Sequence, residues 1–185
     1  KSKIFFKENN SKKKIITISN IDKSTLFYDP INNTNKILIN GSIYNTKYHL
    51  TLLRNPYKKD ATDLEIKFKK LNAIIKNTFY KDQNKENNYS GKASVNFLGA
   101  AINSNYKIEN NLVLLQSKNS KLNNKFIEFK GKINISPFYY NIVVNLETAN
   151  AVKVIENLSK VKNLLNERIL LNKNLNGKIV FNINS

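Results

Sequence analysis

Apolar residues return at every second position along most of this chain, the period of a β-strand with one buried and one solvated face. Ile37, Ile39 and Ile43 alternate with polar neighbours, with Gly41 in the same phase. Tyr48, Leu50 and Leu52 continue the pattern after a turn around Asn45-Thr46, and Leu64, Ile66 and Phe68 alternate with Glu65, Lys67 and Lys69. Ala93, Val95 and Phe97 form a further run, and Phe129, Ile133 and Ile135 share a phase with Gly131. Phe138, Tyr140, Ile142, Val144 and Leu146 follow Pro137, and Leu175, Ile179, Phe181 and Ile183 close the chain. The pattern predicts a mainly antiparallel, strongly twisted sheet of about ten or more strands.

Polar breaks separate these runs, as at Asn32-Asn33-Thr34-Asn35, Lys58-Lys59-Asp60 and Asp82 to Asn88. Asparagine tolerates the left-handed conformation, so it can stand in for glycine at hairpin tips. The chain needs that substitution, because it has only five Gly and three Pro.

One segment changes period. Val152, Ile155, Leu158, Val161, Leu165 and Ile169 recur at spacings of three and four, the stripe of an amphipathic helix. The spacing predicts a short helical insertion over 150–171, with Asn150 as N-cap, a supporting Glu156–Lys160 pair and a break at Ser159. A glycine repeat runs through the strands. Gly41-Ser42-Ile43, Gly91-Lys92-Ala93, Gly131-Lys132-Ile133 and Gly177-Lys178-Ile179 each set glycine in a strand before a polar and then an apolar residue. Interior glycine weakens a strand but permits a bend or a close approach of a neighbour.

Composition narrows the function. The 185 residues carry a net charge of +18, with 41% hydrophobic residues and neither Cys nor Met. The chain is long enough for one packed β-rich unit spanning residues 1–185. Its start at Lys1 and its lack of Met read as an internal segment of a larger protein. No apolar stretch reaches the roughly 20 residues of a membrane-spanning helix. Without cysteine there is no disulfide, thiol catalysis or thiolate metal site. Arginine occurs only at Arg54 and Arg168, and lysine is spread along the whole chain. Nucleic-acid sites favour the arginine fork, so the charge reads as a solvated face with a secondary attraction for anionic lipid head groups.

No set of residues is equipped for catalysis. His49 is the single histidine and lies in a strand pattern, which suits a surface or cross-strand position. Asp60, Asp63 and Glu65 stand among Lys58, Lys59 and Lys67, which suits surface ion pairing. Asp82 and Glu86 lack a metal-loop pattern. No phosphate loop or nucleophile elbow is present, so neither cofactor nor metal is expected.

The stretch from Phe129 to Asn184, with Phe129-Lys130-Gly131-Lys132-Ile133, Ser136-Pro137-Phe138-Tyr139, alternating Val143 to Leu146, the helical insertion and Leu175-Asn176-Gly177-Lys178-Ile179, resembles the AsmA-like proteins of Gram-negative envelopes. Phe27-Tyr28 through Gly41-Ser42-Ile43-Tyr44-Asn45 looks like earlier hairpins of the same architecture. The resemblance implies a strongly curved, taco-like β-groove in the periplasm, anchored to the inner membrane through another part of the chain. It also implies phospholipid transport between membranes, or outer-membrane homeostasis, with acyl chains and neighbouring segments of the same chain as partners. The candidate lining is Ile43; Ala93, Val95 and Phe97; Ile133 and Ile135; and Ile179, Phe181 and Ile183.

Two other readings fit the periodicity. The same face could close against a second sheet, as in a structural or adhesive secreted domain. Alternatively, a nucleic-acid-binding protein would gather its lysines and tyrosines on one face.

Overall fold

A computed structural model describes residues 2–7, 15–43, 46–55, 61–82, 88–147 and 176–184, together with Val152, Glu156 and Ser159. Its strands are β1 (Ser2–Lys7), β2 (Ile15–Asp29), β3 (Thr34–Ile43), β4 (Thr46–Asn55), β5 (Ala61–Phe68), β6 (Ala73–Lys81) and β7 (Asn88–Phe97). They continue with β8 (Ala100–Glu109), β9 (Leu112–Ser117), β10 (Ser120–Leu122), β11 (Lys125–Asn134), β12 (Tyr139–Glu147) and β13 (Asn176–Asn184). All belong to one 13-stranded sheet that follows chain order, so each strand is hydrogen-bonded mainly to its sequence neighbours.

The sheet is antiparallel from β1 to β12, and β13 then lies parallel to β12 from Tyr139↔Asn176 to Glu147↔Asn184. A parallel pair needs a long crossover, and 148–175 supplies it. The expected helical insertion falls in that crossover. Of its stripe only Val152 lies within the described residues; Val152, Glu156 and Ser159 have helical backbone, and Val152 is 58% exposed.

Strands β9 and β10 occupy one position in the sheet, between β8 and β11, with a break at Lys118-Asn119. Fully buried Ser120 repairs the ladder there. Its hydroxyl accepts from the Asn103 N–H at 2.8 Å and donates to the Asn103 carbonyl at 2.7 Å.

Asparagine turns the corners. Asn33, Asn72, Asn110, Asn119, Asn123 and Asn124 all take positive φ, alongside Leu98 and Gly99. At the β5–β6 connection, a 3-10 turn over Lys69–Leu71 ends on Asn72 at φ 47°, whose N–H bonds the Lys69 carbonyl. After β2, Asp29 accepts the N–H groups of Ile31 and Asn32 at 2.9 and 3.2 Å, which fixes the turn into β3.

Register separates the two faces. Residues opposite one another on paired strands point the same way. The pairs Ile39↔Leu50, Leu50↔Ile66, Ile66↔Ile75, Ile75↔Val95 and Val95↔Ile102 draw an unbroken apolar ridge across β3–β8. On the other side of the sheet, the pairs Thr51↔Glu65, Glu65↔Lys76, Lys76↔Ser94 and Ser94↔Asn103 draw a polar one.

Packing on the apolar face is thin. Among the described residues only Ala61, Ala73, Leu122, Ile127 and Leu146 are buried apolar side chains. Leu122, Ile127 and Leu146 form one small cluster with Ala100, Ile102 and Val144 around them. The accessible surface of 13352 Å² exceeds the roughly 9,100 Å² expected of a compact monomer of 21.3 kDa. A sandwich sealed between two sheets would bury its inner side chains, and most of these stay half-buried.

Candidate functional site

The candidate lining residues gather on the apolar face. Ile43 pairs with Ser19 and Thr46 in the same phase as Gly41, Ile39 and Ile37. Ala93, Val95 and Phe97 pair with Ser104, Ile102 and Ala100, which ties β7 to β8 on that side. Ile133 pairs with Val113 and Tyr140. On β13, Ile179, Phe181 and Ile183 pair with Ile142, Val144 and Leu146. Tracing the register strand by strand puts these eight residues on a single side of the sheet.

The ninth, Ile135, lies just past the end of β11, in the turn toward Pro137, where its N–H bonds the Asn111 carbonyl. Phe138, expected in the following strand, also falls in that turn. The face is open at both ends of the sheet: Leu26 on β2 is 68% exposed, and Ile179, Phe181 and Ile183 on β13 are 46%, 43% and 53% exposed.

The strand glycines lie on this same face, and the structure gives them a role the sequence left open. Three of the four receive a tyrosine from the facing strand. Gly41 pairs with Tyr48, Gly91 with Tyr106 and Gly177 with Tyr140. A Cβ at Gly41 would meet the Tyr48 hydroxyl at 2.8 Å, one at Gly91 would meet that of Tyr106 at 2.5 Å, and one at Gly177 would run into the Tyr140 ring. The glycine is a slot through which an aromatic ring lies flat across the strand, a way of covering a bare strand glycine.

Two of these rings reach one strand further. The Tyr48 and Ser19 hydroxyls share a hydrogen bond at 2.8 Å, spanning β3 from β4 to β2. The Tyr106 hydroxyl donates to Asn77 Oδ1 at 2.9 Å, spanning β7 from β8 to β6. Burial pushes the Tyr106 phenol above its ordinary pKa, and the bond to Asn77 partly offsets that shift. The sequence pattern places Tyr48 and Tyr140 in the apolar phase of their strands but does not show their pairing with the glycines, because the separations follow no fixed spacing; only the register brings them together.

The polar face carries the charge. Lys47, Lys67, Lys76, Lys92, Lys130 and Lys178 all stand on it. Tyr48, Tyr106 and Tyr140 stand on the opposite face, whereas Tyr80 and Tyr139 share the lysine face.

His49 lies on the polar face, with Nδ1 2.7 Å from Asn40 Oδ1 and Nε2 3.5 Å from the Thr51 hydroxyl. Glu65 pairs with Lys67 at 2.7 Å and with Lys76 at 3.5 Å. Lys67 first, then the charge of Lys76, holds its carboxyl below the usual range. Asp63 accepts from the Thr78 hydroxyl at 2.5 Å, and Asp60 lies outside the described residues. Among the described residues no three His, Cys, Asp or Glu gather as metal ligands, and no helix is long and apolar enough to cross a membrane.

The fold and face define a class: a single-sheet β-protein with one apolar and one lysine-bearing side. No family model, curated protein or solved structure matches the chain.

Proposed function

We propose that the apolar face holds the acyl chains of phospholipids, in a non-enzymatic envelope protein that moves lipid between membranes or maintains the outer membrane. The observation that carries this reading is the apolar ridge across β3–β8, with the candidate residues of β11 and β13 on the same side and no second layer on it among the described residues. The sheet would curl about that face into a taco-like groove. A twisted sheet is saddle-shaped, concave along one diagonal on each side, so such a groove is compatible with concavities on the polar face. The protein would work in the periplasm, tethered to the inner membrane by other parts of the chain.

The energetics suit a sliding cargo. Burying a methylene contributes ~0.8 kcal/mol, so an acyl chain of about 16 carbons gains on the order of 10 kcal/mol. An apolar lining without fixed polar contacts offers many equivalent positions, which allows a chain to move along it.

The test is a photo-crosslinking amino acid at Phe97 or Phe181 on the apolar face, and at Lys132 or Lys178 on the polar face, in the full-length protein in cells. The first pair should capture phospholipid and the second should not. Equal capture at all four positions would show general membrane contact. Crosslinks only within the protein would leave a structural β-domain and end the lipid reading.

A further inference from the structure

Three shallow concavities of about 440, 310 and 270 Å³ lie on the polar face over β6–β9. They are continuous: the largest shares Ser90 and Lys107 with one neighbour and Lys92 and Asn105 with the other. Together they make a trough along β7 and β8, from Asn88 and Glu109 at one end to Ser94 and Asn103 at the other. At ~3.3 Å per strand residue its length is about 20 Å.

Lysines mark its course, with Lys76, Lys92, Lys107 and Lys118 along the walls and Asn105 and Gln116 between them. Lys76 is paired with Glu65. Lys92, Lys107, Asn105 and Gln116 have no side-chain hydrogen bond or ion pair among the described residues. Asp82 and Glu109 stand together at one end only; no acidic residue lines the middle of the trough, where Lys92 and Lys107 stand with Tyr80 and Leu114.

This lining selects a ligand class. Unpaired ammonium groups call for regularly spaced anions, and side-chain amides offer both donors and acceptors, which match hydroxyl-rich chains. Bases would find one aromatic side chain on this side of the trough, Tyr80; Tyr89 and Tyr106 also line it, but their register puts their side chains on the other face. A flat lipid surface does not follow a narrow concavity.

We propose that the trough binds an acidic polysaccharide, a linear glycan whose carboxylates meet Lys92 and Lys107 and whose hydroxyls meet the Asn105 and Gln116 amides. The site lies on the face opposite the lipid-holding one and does not depend on it.

The test is fluorescence anisotropy of a labelled oligogalacturonate long enough to fill the trough, titrated with the full chain. Saturable binding that weakens with added salt is expected. The double substitution Lys92→Gln/Lys107→Gln should weaken it at least tenfold, since it removes two charge-assisted bonds to the glycan carboxylates. The control Lys36→Gln/Lys47→Gln, on the same face but outside the trough, should change it less than about twofold. Asn105→Ala/Gln116→Ala should weaken the glycan and leave binding of inorganic polyphosphate unchanged. Circular dichroism establishes that each variant is folded.

Equal losses from the two lysine pairs would overturn the site in favour of general charge attraction. Tighter binding of polyphosphate or single-stranded RNA that ignores the amide pair would overturn the glycan. Binding confined to phosphatidylglycerol vesicles would replace the trough with a membrane surface.

Discussion

Substituting Gly91 by alanine tests the packing of the apolar face where a backbone carbonyl and a tyrosine ring both crowd a glycine. A Cβ there would lie 2.5 Å from the Thr78 backbone oxygen, 2.5 Å from the Tyr106 hydroxyl and 2.6 Å from Tyr106 Cζ. The ring has somewhere to go and the carbonyl does not. If Tyr106 swings aside it gives up its hydrogen bond to Asn77, at about 1 kcal/mol. Relief at Thr78 requires β6 and β7 to part locally, an overpacking cost of about 1–3 kcal/mol. The two together give roughly 2–4 kcal/mol, a fall in Tm of about 6–12 °C near the middle of that range for a chain of this size. Thermal unfolding followed by far-UV circular dichroism reads it directly. Pairing Gly91→Ala with Tyr106→Ala separates the two contributions: a ring clash makes the double variant more stable than the sum of singles by on the order of 1 kcal/mol, and a carbonyl clash leaves them additive. Removing a flexible glycine ordinarily stabilises by about 0.4–1 kcal/mol through the unfolded chain. A Gly91→Ala protein at or above the parental Tm would therefore refute the slot.

The Ser120→Ala variant removes the hydroxyl that serves Asn103 at the β9–β10 break; with the Asn103 N–H left unpaired, urea unfolding should show a loss of about 1–3 kcal/mol. Asn72 takes φ 47° at the β5–β6 corner, so Asn72→Gly should be near neutral and Asn72→Val should cost about 1–2 kcal/mol in the same assay. Because burial raises the Tyr106 pKa, its stabilising contribution is complete below the unfolded value of about 10 and is lost as pH rises through the higher folded value. Tyr106→Phe should flatten that alkaline limb of the stability–pH curve and cost about 1 kcal/mol at neutral pH from the lost Asn77 bond.

The strands were most legible where one face is cleanly apolar. Over Tyr48 to Leu52 and Leu64 to Phe68 the alternation is unbroken, because the opposite positions hold His49, Thr51, Glu65 and Lys67. It blurs in β6, where Ile74 puts an isoleucine on the polar face and Asn77 puts an amide on the apolar one. In β8, Ser104 interrupts the run from Ala100 to Ile108. In β9 the continuous Leu112-Val113-Leu114-Leu115 has no alternation to read. The parallel pairing of β12 with β13 was illegible in principle, since period two is the same whichever way the partner runs. Eight of the nine candidate lining residues share a face because period two fixes the side within each strand and hairpin register carries it to the next. Ile135 departs because its strand ends at Asn134. The polar trough was invisible for the complementary reason: Lys76, Lys92 and Lys107 are far apart in sequence, and only the ladder puts them over neighbouring strands.

The tyrosine arrangement bears on what can cover the apolar face. A phenol hydroxyl taken out of water needs a hydrogen-bond partner, and an occupant would ordinarily have to supply it. Here Ser19 serves Tyr48 and Asn77 serves Tyr106 from within the sheet. The face thus places no polar demand on its occupant at these two points, a condition that a hydrocarbon chain meets as it is. The residual gain is apolar: Ile179, Phe181 and Ile183 remain about half exposed, and finishing their burial would contribute about 1 kcal/mol each. The lysines of the opposite face gain nothing by being covered unless anions come with the cover. Under the two proposals hydrocarbon and anion would occupy opposite sides of one sheet, and neither would displace the other.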